Sequence, residues 1–174
     1  GRNEKKLKEI SSKLEKKERS SYYITDLSVP DSACYCVNKI SKEQLPLDGV
    51  FHSAGQELIK PLSLTKDKDL NLVLSSSLNS ALSLSRALTK RSIFRNGGSI
   101  VFMSSIAAIA GSPGMSAYSA SKGAINSLSR SLALEFAPRN IRVNTINAGA
   151  VNTSMHQRLM KNLSPMSASD YELK

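Results

Sequence analysis

The chain holds 174 residues with a formal net charge of +10; 40% are hydrophobic and 22% charged, which suits one domain with a buried core and excludes a disordered chain. Two cysteines and two histidines are too few for a disulfide scaffold or a soft-ligand zinc site, so no metal is expected. No apolar run is long enough to span a bilayer and the N-terminus lacks a signal-peptide pattern, so the expected location is the cytoplasm, away from membranes.

Asn3 to Lys17 is the first predicted helix. Leu7, Ile10 and Leu14 fall on one stripe, and Lys and Glu alternate around the rest as a solvated face. The remaining positive charge is scattered without a stripe, so nucleic acid is not an expected partner. Tyr22 to Thr25 is a β-rich run that ends at Asp26. Asp31 to Ile40 follows Pro30 and reads as a helix with Ala33, Val37 and Ile40 at helical spacing. It carries Cys34 and Cys36, expected as reduced thiols. Val50 to His52 is a short strand ending in Ser53-Ala54-Gly55. A Leu- and Ser-rich helix is expected from about Lys66 to Arg91. Ser99 to Met103 follows the Gly97-Gly98 turn and reads as a strand. A helix from about Ser116 to Ala137 stops before Pro138, and Ile141 to Ile146 is a last strand ending in Asn147-Ala148-Gly149.

Strands separated by helices imply parallel pairing with right-handed crossovers, hence an α/β doubly wound sheet. Ligands of such sheets sit beyond the carboxyl ends of the strands. Each predicted strand ends in a short polar or glycine-bearing tripeptide: TDL, SAG, MSS and NAG.

The sharpest chemical feature is Tyr118-Ser119-Ala120-Ser121-Lys122. Positions i and i+4 share a helix face, so phenol and ammonium lie close. A cation at ~4 Å contributes ~4 kcal/mol at an effective dielectric of ~20, which would bring a phenol of pKa ~10 toward neutral pH. Such a Tyr serves as general acid or base. Ser104-Ser105 ends the SIVFM strand, where a hydroxyl polarises a substrate carbonyl.

In this order these residues closely resemble the short-chain dehydrogenase/reductase family, which has a Ser at the end of its fifth strand and then Tyr-x-x-x-Lys. Ser105 precedes Tyr118 by 13 residues, the family's usual interval. His52 to Gly55 is similar to its N-N-A-G, and Thr25 to Ser28 to its adenine-contacting segment, with Asp26 and Leu27 as the contacts. Asn147 to Met155 resembles its N-x-P-G-x-x-x-T segment, and Ser127 to Ile146 the stretch before it. The likeness covers nearly the whole chain and is densest from Gly98 to Met155, where it points to the 3-oxoacyl-(acyl-carrier-protein) reductase branch.

The resemblance implies a Rossmann-like doubly wound parallel sheet spanning residues 1–174 as one partial NAD(P)-binding domain. The first βα unit and the last strand are expected to be absent. It implies hydride transfer between NAD(P)(H) and a ketone or secondary alcohol, a 3-oxoacyl or sugar-derived compound, free or carrier-bound. Tyr118 would exchange the proton, Ser105 hold the oxygen, and Lys122 lower the Tyr118 pKa and bind ribose hydroxyls. Ser53, Ala54, Gly55, Gly149, Val151 and Thr153 would also contact the cofactor, and Ile106 and Met155 the substrate. Gly1 stands where the family's ribose-reading acid stands, and Arg2 follows it. Since Arg pairs a phosphate in bidentate fashion, NADP(H) is expected over NAD(H). His156, Met160 and Met166 fall in the substrate-covering region. Arg91, Arg95 and Arg139 would form a basic patch for an acidic carrier protein. Helices 66–91 and 116–137 would pack across two-fold axes into a homodimer or homotetramer.

Three departures bear on activity. The Asn that completes the family's proton-relay water is replaced by Ser77, with Asn79 two residues on. N-N-A-G becomes His52-Ser53-Ala54-Gly55, and the Pro of the P-G pair becomes Ala148. The sequence also lacks the family's G-x-x-x-G-x-G phosphate loop. These features keep open an alternative, a catalytically weakened dinucleotide-binding or interaction protein of the same fold.

Overall fold

The computed structural model describes residues 1–16, 19–43, 46–153 and 157. Its first helix, α1 (Glu4–Ser12), begins on the Asn3 side chain, which accepts the Lys6 amide at 3.0 Å. Lys8 pairs with Glu4 and Lys13 with Glu9 at helical spacing, and no residue of α1 is buried. The helix ends at Ser12, short of the predicted Lys17.

Tyr22 to Thr25 is not a strand. Gly1 supplies a single rung, its nitrogen donating to Tyr23 O at 3.3 Å and its carbonyl accepting from Thr25 N at 2.9 Å. One rung does not make a ladder.

The second helix, α2 (Ser32–Glu43), buries Ala33 and Val37 as the spacing predicts. Three strands, β1 (Leu47–His52), β2 (Phe94–Ser105) and β3 (Arg142–Ala148), form a parallel sheet in the order β1-β2-β3. Val50, Ile100 and Val143 share one row, and His52 and Phe102 the row beyond it on the same face. Ile100, Phe102 and Phe94 are fully buried there, against Ala33 and Val37 of α2 and residues of two later helices. The other face carries Phe51 and Ile146, which are 55% and 47% exposed.

The predicted helix over 66–91 is two helices joined through a π-turn. They are α3 (Asp67–Leu74) and α4 (Ser80–Leu88), with Ser75–Asn79 in wider i→i+5 register between them. Buried Ser76 and Ser85 are tolerated because their hydroxyls donate to the turn before them. Ser76 Oγ donates to Leu72 O at 3.0 Å and Ser85 Oγ to Ala81 O at 2.8 Å. The longest helix, α5 (Ser116–Phe136), buries Ile125, Leu132 and Phe136 in the same core. No described helix is long and apolar enough to cross a membrane.

Two features at the amino end of β2 differ from surface expectations. Gly97 has φ +79, and a Cβ at Gly98 would lie 2.8 Å from Asp48 O and from the Phe94 ring. Because backbone and a buried ring are in the way, Gly98→Ala is expected to cost about 1–3 kcal/mol of stability in a urea melt. Arg139, predicted in a docking patch, is instead a structural cap. Its guanidinium donates to Leu88 O, Thr89 O, Phe94 O and the Asn96 side chain, which satisfies the end of α4 and the start of β2. Arg95 pairs with Asp48 at 3.2 Å.

Candidate active site

The carboxyl end of β2 delivers two serines in opposite directions, as strand alternation requires. Ser104 is buried and its Oγ donates to Lys122 O at 3.0 Å, pinning α5 to the sheet. Ser105 turns the other way. Its Oγ accepts from Ala107 N at 3.2 Å, which caps the short turn Ile106–Ala108. Ile106 stands beside it, half exposed.

Gly114, at φ +75, turns the chain into α5. Its carbonyl accepts from Lys60 N at 2.8 Å, which clamps the segment after β1 against the loop before Tyr118. On α5, Ser121 Oγ donates to Val73 O of α3 at 3.3 Å. Tyr118 and Lys122 are thereby held from three sides.

Lys122 is buried and its Nζ donates to Met103 O at 2.9 Å. That Nζ lies 5.7 Å from the centre of the Tyr118 ring. A Cβ on Gly55 would stand 3.2 Å from Lys122 Nζ and 3.9 Å from Ser77 Cβ. Gly55 from the β1 exit, Ser77 from the π-turn and Lys122 from α5 therefore meet. The Ser105 hydroxyl acts on Tyr118, drawing the phenol's pKa down.

The electrostatics depart from the sequence expectation. Burial pushes the Tyr118 phenol above its ordinary value of 10.0; the Ser105 hydrogen bond draws it back in part, and the Glu57 charge adds to the rise. Burial also lowers the Lys122 ammonium from 10.5. Lys122 faces a backbone carbonyl rather than the phenol, so its attraction does not overcome the loss of hydration around Tyr118.

Asp26 Oδ1 accepts from Ser28 N at 2.9 Å and Ser28 Oγ at 2.6 Å, and Oδ2 lies 3.7 Å from Arg2 Nη1. The Ser28 hydrogen bonds first, and Arg2 after them, hold its carboxyl below 3.8. Leu27 packs against the core. Ser53 is exposed and Ala54 half-buried at the β1 exit. Gly149, Val151 and Thr153 follow β3 in exposed chain. Met155, His156, Met160 and Met166 lie outside the described residues.

Sequence reasoning missed two residues around this centre. His52 is buried, with Nε2 2.8 Å from Ser80 Oγ. Burial first, and then the Lys122 charge, lower its pKa from 6.5 to about 4. The period-2 pattern of Val50 and His52 was the available signal, because it turns both to one face. Glu57, whose charge reaches Tyr118, had no signal in the sequence.

Comparison with known proteins identifies this arrangement. The short chain dehydrogenase family profile matches residues 1–164. The 3-oxoacyl-(acyl-carrier-protein) reductase FabG of Chlamydia muridarum is 32% identical over 165 residues, covering 94% of this chain and 66% of that one. A short chain dehydrogenase of Shigella flexneri 2a strain 301, solved in complex with NADP, superposes with a TM-score of 0.81 at 31% identity, covering 96% of this chain and 72% of that one. An NAD+-bound xylitol dehydrogenase superposes with a TM-score of 0.82 at 30% identity, covering 91% and 62%. The chain spans between half and two thirds of the length of curated relatives it matches, 66% of the Chlamydia muridarum protein and 50% of a cyclopentanol dehydrogenase of Comamonas testosteroni. With the serine, tyrosine and lysine gathered at the carboxyl edge of a parallel sheet and the family profile matched almost end to end, the chain belongs to the short chain dehydrogenase family.

Proposed function

We propose that this chain carries the catalytic centre of an NAD(P)-dependent oxidoreductase that interconverts a ketone and a secondary alcohol. The carrying observation is the meeting of Lys122, Gly55 and Ser77 beside the Tyr118 ring, whose phenol feels the Ser105 hydroxyl. A dinucleotide's ribose end suits this donor set. Lys122 Nζ has three hydrogens, and Met103 O accepts one. Ser77 Oγ is buried without a hydrogen-bond partner among the described residues, beside Gly55 and Lys122, so it has capacity for a water or a ligand hydroxyl.

When bound, the nicotinamide dinucleotide supplies the hydride in reduction and takes it up in oxidation. Tyr118, neutral because burial raises its pKa, gives its proton to the carbonyl oxygen. Ser105 donates to the same oxygen and orients it. Lys122 holds ribose hydroxyls and Ser77 a relay water. Ser53, Ala54, Gly55, Asp26 and Leu27 form the ribose and adenine side, and Gly149, Val151 and Thr153 the nicotinamide side. Ile106 meets the substrate, a small carbonyl compound, free or carrier-bound. The apolar Leu82 of α4 and Leu134 of α5, both exposed, support assembly with further copies.

Arg2 favours NADP(H). Its side chain is 65% exposed and its link to Asp26 is long, so the guanidinium is available to a 2′-phosphate. The test is consumption of NADPH and NADH with a panel of ketones, together with dinucleotide affinity by titration. NADPH is expected to bind more tightly, and Arg2→Ala to reduce that preference about tenfold. Equal affinity for both dinucleotides in the unaltered chain would defeat the NADP(H) assignment. Absence of turnover with every ketone would defeat the oxidoreductase reading.

A further inference from the structure

His52 occupies a position that a core would normally give to an apolar side chain. It is 5% exposed, at the last residue of β1 and on the inward face. Its ring stands edge-on to Phe102, with centroids 5.9 Å apart at 63°. Its Nε2 lies 2.8 Å from Ser80 Oγ, on a different element.

The hydrogen count around Ser80 gives that contact a direction. Ser80 Oγ lies 2.9 Å from Ser76 O and 3.0 Å from Ser77 O. Both are carbonyls and only accept, while a hydroxyl has one hydrogen. A ring hydrogen on Nε2 leaves the hydroxyl hydrogen to a carbonyl, so the arrangement that satisfies the most partners has Ser80 accepting from His52.

The two carbonyls belong to the π-turn Ser75–Asn79. Its wider register displaces them from ordinary α-helical partners, and a side chain from outside the turn helps fix them. The same turn presents Ser77 to Gly55 and Lys122. His52 also directly precedes Ser53-Ala54-Gly55. One imidazole thus sits between the two walls of the Lys122 environment, joined covalently to one and by hydrogen bonds to the other.

We propose that His52 is a positioning residue, which through the Ser80 hydroxyl locks the π-turn so that Ser77 faces the Lys122 ammonium. The proposal rests on the reading of Ser77 and Lys122 as site residues, and its structural half is testable without turnover. Nitrogen-15 spectra of the imidazole at neutral pH should show the Nε2–H tautomer; the Nδ1–H tautomer would overturn the assignment. Amide hydrogen exchange of residues 75–84 in the dinucleotide-free chain should accelerate about tenfold in His52→Phe, which keeps an aromatic ring against Phe102. Ser80→Ala should match it, and the double variant should add nothing further. Additive effects, or effects confined to β1, would overturn the lock. His52→Gln, which retains a donor, should restore part of the protection and stands in if the Phe variant does not fold.

Turnover supplies the second arm. His52→Phe should lower kcat about tenfold with ketone KM unchanged, and His52→Gln should recover part of it. An unchanged kcat with accelerated exchange would overturn the functional half of the proposal. If the unaltered chain turns over no ketone, the oxidoreductase reading fails, while tautomer and exchange still decide the lock.

Discussion

Tyr118→Phe is expected to lower kcat/KM for ketone reduction by on the order of 10²–10⁴-fold. Phe keeps the ring where it packs near Lys122 and removes the hydroxyl on which Ser105 acts. Dinucleotide affinity should change by a small factor, since Lys122 keeps its burial and its bond to Met103 O. Residual activity should persist, because Ser105 still donates to the carbonyl oxygen. The measurement is steady-state NADPH consumption alongside dinucleotide titration. Equal rates in the two proteins would remove Tyr118 from the chemistry. The pH profile follows from the direction of the phenol's shift. Reduction needs the neutral phenol, which persists above pH 10, so its rate should be flat through neutrality. Oxidation needs the phenolate and should rise with pH.

The second large effect is on stability in acid. His52 titrates at about 4 in the folded chain and at an ordinary 6.5 when unfolded. Between those values the unfolded chain binds a proton that the folded chain refuses. Stability therefore falls as pH drops from about 6.5 to about 4, by roughly 3 kcal/mol in all, and the His52 contribution levels off below that. Asp26 and Asp69, whose folded values lie below 3.8, act at the acid edge of this window and beyond it. The check is urea denaturation followed by far-ultraviolet circular dichroism, since the chain has no Trp. His52→Phe should flatten the slope between pH 6.5 and 4; an unchanged slope would assign the acid sensitivity to other groups.

The order of elements was legible because apolar spacing and glycine punctuation are local. Tyr118 and Lys122 were legible for the same reason: a helical i,i+4 pair needs no knowledge of distant chain. Tyr22–Thr25 failed because strand propensity does not supply a neighbour to pair with. The π-turn was hidden, since Ser75-Ser76-Ser77 reads as ordinary helix until Ser80 and His52 are seen around it. Arg139 was misread because charge suggests a surface partner, whereas three backbone carbonyls at the amino end of the sheet claim it. The direction of the Tyr118 shift was misread because sequence gives the separation of phenol and ammonium but not what surrounds each.

The uncovered sheet face has a colloidal consequence. Phe51 and Ile146 place apolar surface where two molecules of this chain can touch. A net charge of +10 keeps such molecules apart at low ionic strength. At about 0.1 M salt the repulsion reaches only ~10 Å, and at about 1 M only ~3 Å. The dispersed lysines and arginines therefore act as a salt-sensitive barrier against self-association.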